Sequence, residues 1–72
     1  MEIRRVFAVN LRRLRAERSL SQEALADMAA IDRTYVSALE RELYSVSIDT
    51  VAKLALALKV PPASLLEEPP TA

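Results

Sequence analysis

The chain has 72 residues, ten basic and ten acidic side chains, no glycine, cysteine or histidine, and a 51% hydrophobic content in which aromatics are scarce. That length allows one domain whose Leu-, Val- and Ala-based core supplies only about 3–5 kcal/mol, so pairing with a second copy is attractive. Disulfides, thiolate metal sites and glycine-rich phosphate loops are excluded, no apolar run reaches membrane-spanning length, and the N-terminus lacks the apolar stretch of a signal peptide. The expectation is a soluble cytoplasmic protein that is not an enzyme and has no metal or cofactor.

Ile3, Phe7, Leu11 and Leu14 fall on one stripe and predict a first helix from about Ile3 to Glu17. Arg4, Arg5, Arg12 and Arg13 lie off the stripe and Arg15 beside it. Residues 1–18 hold six arginines against Glu2 and Glu17, a charge of +4, while residues 19–46 sum to −3 and the remainder to −1. Because attraction to phosphate acts within a Debye length of about 8–10 Å, this uneven distribution matters more than the zero total. Zero net charge does predict modest non-specific affinity for nucleic acid.

Next comes SQEALADMAAIDRTYVSALER, residues 21–41, which reads as two short helices joined by a sharp corner. Ser21 is a good N-cap, and Leu25, Ala26, Met28 and Ala29 recur at helical spacing. Ala30 and Ile31 make the corner, and Asp32 caps the second helix. At about 100° per residue, Val36 and Leu39 share one side of that helix, with Tyr35 at the edge. Arg33, Thr34, Ser37, Ala38 and Arg41 fall on the other side. This outer face is short in reach and free of carboxylates. Arg33 can donate twice to a guanine edge, Thr34 and Ser37 can bond to bases or phosphates, and Ala38 can lie against a thymine methyl. Gln22, at a helix N-terminus with free N–H groups, suits a phosphate oxygen.

The segment from Glu42 to Val46 has no helical pattern and reads as a loop; Tyr44 and Ser45 are within reach of phosphate, while Leu43 and Val46 suit core caps or a subunit contact. Ser47 caps a further helix whose buried face is expected to be Ile48, Val51, Leu54, Ala55 and Leu58. Pro61-Pro62 forces a corner before a last short helix, Ala63 to Leu66. Leu65 and Leu66 cannot both point inward from one turn, so one is expected in the core and the other in a subunit interface. Residues 67–72 are expected to be a disordered tail.

Taken in order, NLRRLR, LSQEALA, RTYVSALER and VAKLALALKV resemble the Cro/C1-type (XRE) family of helix-turn-helix DNA-binding domains, from about Asn10 to Leu66. The resemblance implies an all-α, compact, five-helix, lambda-repressor-like domain over residues 1–66, with the motif formed by helices 2 and 3. It implies that the second motif helix enters the major groove of double-stranded DNA while the first lies across it near the backbone. Base contacts would then come from Arg33, Thr34, Ser37 and Ala38, and phosphate contacts from Gln22, Arg41, Tyr44 and Ser45. It further implies an ion pair between Arg15 and Glu40 tying the first helix to the reading helix, and a homodimer, with Val46, Pro61, Leu65 and Leu66 at its interface. The chain most resembles restriction–modification controller proteins and small phage-type repressors, which implies transcription regulation on a near-palindromic operator, without a small-molecule ligand. The alternative is a protein-interaction module, an antitoxin or polymerase adaptor, that keeps the fold without the DNA. The main departure from the family is the missing glycine: it is usual at the positions of Ala30 and Glu42 and near Lys59, where φ is often positive.

Overall fold

A computed structural model describes residues 2–69. Four α-helices occur, α1 (Ile3–Glu17), α2 (Gln22–Ala29), α3 (Arg33–Glu40) and α4 (Ile48–Leu58), followed by one turn of 3-10 helix, Pro62–Leu65; among the described residues there is no strand. The short last helix expected from Ala63 to Leu66 is therefore a single 3-10 turn, and the α-helices number four among the described residues. Pro61 and Pro62 stand at the N-cap and first position, where no N–H is used and a fixed φ suits a helix start, and the four-residue turn closes by i to i+3 bonds, Ser64 N–H to the Pro61 carbonyl and Leu66 N–H to the Ala63 carbonyl, both 2.9 Å. Among the described residues no helix is long and apolar enough to cross a membrane.

Each α-helix begins on a side-chain cap. The Glu2 carboxylate accepts from Arg4 N–H, Ser21 Oγ from Ala24 N–H, Asp32 from Thr34 N–H and Ser47 Oγ from Thr50 N–H. The ends share a different device. Ser19, Ala30, Glu42 and Lys59 all take the left-handed conformation, with φ between 54° and 64°. At each, the following N–H reaches back five residues: Leu20 to Arg15, Ile31 to Ala26, Leu43 to Ala38 and Val60 to Ala55, at 3.0–3.1 Å. These are Schellman ends, a form that usually has glycine at the left-handed position. Three of the four apolar residues that follow, Leu20, Ile31 and Val60, pack against the core and hold the turn closed. Leu43 instead stands half exposed.

The core is one cluster. Phe7, Leu11 and Leu14 of α1, Leu25, Ala26 and Ala29 of α2, Val36 and Leu39 of α3, and Val51, Leu54, Ala55 and Leu58 of α4 close around it, with Leu65 beneath. The inner layer is formed as α2 packs on α3 and α4, and α1 packs on α3 and on the 3-10 turn. Three expectations need correcting. Ile48 is 86% exposed and no part of the core, because it stands at the first position of α4, outside the layer that Val51 begins. Ile3 and Met28 are likewise more than half exposed at the ends of their stripes. Glu67 is not loose: the buried Asn10 side chain donates to its carbonyl (2.7 Å) and to that of Leu65 (3.0 Å). Residues 70–72 of the expected tail lie outside the described residues.

A left-handed residue with a Cβ costs about 1–2 kcal/mol, against which glycine loses about 0.5–1 kcal/mol through the unfolded chain. Ala30→Gly, which removes no other contact, is therefore expected to stabilise by about 0.5–1 kcal/mol in urea titration. An unchanged or lower midpoint at constant slope would show that this turn carries no strain.

Candidate nucleic-acid interface

The two helices of the motif are fixed by one carboxylate. Glu40, at the last turn of α3, has a side chain only 4% exposed. Arg15 Nε and Nη2 donate to its two oxygens at 2.7 and 3.0 Å, and Gln22 Nε2 donates to Oε1 at 3.0 Å. Arg12 Nη1 donates to the Glu40 carbonyl at 2.5 Å, putting positive charge at the negative end of α3 on a carbonyl that no backbone N–H meets. Arg15 completes the knot by donating through Nη1 to the Leu20 carbonyl (2.9 Å), just before α2. Thus α1, the entry to α2 and the end of α3 meet at a single point. The Glu40 carboxylate, by hydrogen bond first and by charge as well, raises the Arg15 pKa above its already high ordinary value against the opposing effect of burial.

With its end so held, α3 leaves Arg33 and Thr34 exposed and Ser37 partly so, and Arg41, just past its end, is exposed as well. Ala38 does not join them. Its side chain is 5% exposed, so its methyl forms part of the packed flank and offers no surface for a thymine. On the wheel Ala38 lies between Tyr35, which packs against the core, and the exposed Thr34, so it stands at the boundary of the covered side, where its short side chain stays below the surface. Thr34 is partly committed: its hydroxyl donates to the Asp32 carboxylate at 2.6 Å, beside its N–H at 2.8 Å. The hydroxyl oxygen is left as an acceptor, suited to an exocyclic amine of adenine or cytosine. Arg41 bends its Nε back to the Ser37 carbonyl (3.3 Å), keeping its terminal nitrogens free.

The other proposed backbone contacts are placed differently. Gln22 spends one amide N–H on Glu40, which leaves one N–H and the carbonyl oxygen of that amide. It lies with Arg15, Ser21, Glu23 and Arg33 around an open polar cleft of about 650 Å³ between the start of α2 and the start of α3. Tyr44 and Ser45 are exposed in the loop after α3. Of the interface candidates, Val46 is half-buried, Pro61 exposed and Leu66 42% exposed, whereas Leu65 is completely buried and cannot meet a second subunit. Two positioning contacts carried no readable signal in the sequence. They are the Arg12 cap on α3 and the bond from Arg18 Nε to the Leu58 carbonyl (2.5 Å), which spans forty residues.

Removing Arg15 leaves Glu40 nearly dry with one neutral partner. Arg15→Ala is expected to cost about 3 kcal/mol in chemical denaturation. A paired replacement by apolar residues, Arg15→Met with Glu40→Leu, should recover most of that loss; equal destabilisation of single and double variants would contradict the desolvation argument. Asp32 supplies a pH test. Hydrogen bonds from the Thr34 hydroxyl, then from its N–H, hold the Asp32 carboxyl below its ordinary pKa of 3.8. The folded value is the lower one, so the cap's contribution is complete above the unfolded pKa and disappears as pH falls through the folded value. The Thr34 amide resonance should therefore titrate with a midpoint below 3.8; a midpoint at or above it would mean the cap is not formed in solution.

Comparison with known proteins agrees with this geometry. A profile described as helix-turn-helix matches residues 11–65. The "Neisseria hypothetical transcription factor" of Neisseria meningitidis is 41% identical over 68 residues, 94% of this chain, which spans only 64% of that relative's length. Control protein C.BamHI of Bacillus amyloliquefaciens is 41% identical over 66 residues, covering 90% of this chain and 82% of the relative. Among solved structures, the restriction–modification controller protein C.AhdI from Aeromonas hydrophila superimposes with a TM-score of 0.84 at 42% identity, over 86% of this chain and 94% of that one. With the matched profile running from Leu11 in α1 to Leu65 in the final turn, the chain belongs to the helix-turn-helix family.

Proposed function

We propose that the protein is a sequence-specific regulator of transcription that binds double-stranded DNA as a homodimer on a near-palindromic operator, in the manner of a restriction–modification controller. The observation that carries this reading is the outer face of α3, where Arg33, Thr34 and Ser37 project hydrogen-bonding groups from a helix whose orientation is locked through Glu40. Relatives named as transcription factors and control proteins support a regulator rather than an enzyme. A cytoplasmic location follows from a partner of that kind.

The reading assigns roles as follows. Arg33, Thr34 and Ser37 meet base edges in the major groove; Ala38, covered by its own domain, contributes only shape. Gln22, Arg41, Tyr44 and Ser45 hold the phosphate backbone, with the cleft between Gln22 and Arg33 as the place where a phosphate group sits beside the N-terminus of α2. Eight residues of α3 extend about 12 Å, enough for three or four base pairs. The domain is 29 Å along its longest axis, so one copy cannot place reading helices in half-sites about 34–36 Å apart; two copies can.

Selection of bound sequences from random duplexes by the pure protein tests this directly. A two-fold symmetric consensus is expected. Arg33→Ala should cost about 1–3 kcal/mol of affinity and relax the consensus at one position per half-site, while Arg41→Ala should weaken all sequences alike and reduce the salt slope by about one. Absence of any enriched sequence, with no salt-dependent binding in dilute buffer, would reject the proposal.

A further inference from the structure

The caps of α2, α3 and α4 do not all engage the same position. The serine caps bond the third residue of their helices, Ser21 Oγ taking the Ala24 N–H and Ser47 Oγ the Thr50 N–H. Asp32 bonds the second residue of α3 instead, and a single oxygen, Oδ1, takes both the N–H (2.8 Å) and the hydroxyl (2.6 Å) of Thr34. Its side chain is one bond longer than that of serine, which is what brings it beside the threonine. Asp32 and Thr34 are both exposed, at the entry to the helix that carries the outward-facing Arg33 and Ser37. An ionised carboxylate only accepts, so the one proton of the Thr34 hydroxyl is committed to Asp32. A free threonine hydroxyl is indifferent among bases, because it can donate to guanine O6 or thymine O4 and accept from adenine N6 or cytosine N4. This one is not.

We propose that Asp32 is a specificity-determining residue that need touch no base: by holding the Thr34 proton it makes Thr34 select an amine-bearing base, adenine or cytosine, over a keto base, guanine or thymine, on the strand it meets. This rests on the DNA-binding reading above and supplies the chemistry of one position in each half-site. A keto oxygen set against Thr34 would face an oxygen with no proton to give, leaving a hydrogen bond unmade on both sides. Turning the hydroxyl toward that keto oxygen would exchange a bond to a charged acceptor for one to a neutral acceptor, and the charged bond is roughly twice as strong. The commitment also helps in the favoured direction, since a hydroxyl that donates to a carboxylate becomes a better acceptor. Arg33, next to Thr34, has only donors and suits guanine. Adjacent residues of opposite hydrogen-bond polarity therefore ask for opposite classes of base.

Selection from random duplexes, repeated with variants whose folding is checked by circular dichroism melting, provides the test. In the wild type, one position per half-site should hold adenine or cytosine about tenfold over guanine or thymine. Thr34→Val leaves the Asp32 cap in place and should lose that preference alone, while Thr34→Ser should keep it. Asp32→Asn, whose Oδ1 can accept both bonds, should keep it as well. Asp32→Ser is the decisive variant. Serine caps in this chain use the third N–H, so α3 should still start while the Thr34 hydroxyl is released, and the position should become indifferent with the rest of the consensus intact. A role confined to capping would weaken binding to all sequences alike and leave the consensus unchanged, which would overturn the assignment. So would an Asp32→Ser protein that retains the amine preference, or a wild-type position filled by guanine or thymine. A wild type that enriches no duplex removes the regulator and this role together; an enriched palindrome whose bases are unmoved by Asp32→Ser keeps the regulator and removes this role alone.

Discussion

The buried carboxylate of Glu40 is the contact on which the orientation of α3 depends. A carboxylate that dry is costly unless its lone pairs are met, and here three donors from two other segments meet them: Arg15 twice and Gln22 once. An apolar contact at the same place would permit α3 to roll about its axis with little change in energy, because dispersion has no direction. A bidentate guanidinium fork does not permit that, since its two bonds fix both distance and angle. The same charge pair that adds little net stability therefore decides where Arg33, Thr34 and Ser37 point. Arg12, bonded to the carbonyl of the same residue, stiffens the arrangement from the backbone side.

The turns use a second solution to a shared problem. Each helix must stop sharply in a chain that has no glycine, and each does so by accepting a left-handed residue with a Cβ. The return hydrogen bonds and the apolar residue that follows offset the strain at Ser19, Ala30 and Lys59. At Glu42 the offset within one copy is incomplete, since Leu43 remains half exposed. The loop continues into the exposed Tyr44 and leads to the exposed Ile48 at the start of α4.

Charge follows an economical pattern as well. The net charge is zero, yet the arginines of α1 and its C-cap are divided between tasks. Arg12, Arg15 and Arg18 are spent internally on carbonyl or carboxylate oxygens, and Arg13 pairs with Glu17. The positive field of the first helix is accordingly weaker toward a DNA backbone than a count of its arginines suggests. On the proposed reading, discrimination between sequences then rests on Arg33, Thr34 and Ser37 of α3, which act only in contact.

Periodicity and capping in the sequence determined much of this protein by themselves. The stripe Phe7, Leu11, Leu14, the caps at Ser21, Asp32 and Ser47, and the spacing of Val51, Leu54 and Leu58 give the four α-helices and most of the core, because these signals depend on neighbours within a few residues. The missing glycines at Ala30, Glu42 and Lys59 were also legible as a problem, though the parallel case of Ser19 was not, having no such expectation attached to it. Tertiary structure alone decided which ends of each stripe stay wet, why Ala38 is covered while Thr34 is not, and which of Leu65 and Leu66 goes inside. It alone brought Asn10 to Glu67, Arg18 to Leu58 and Gln22 to Glu40. Those contacts join residues 18 to 57 positions apart, and whether an end residue is covered depends on the element that closes over it, which no local period encodes.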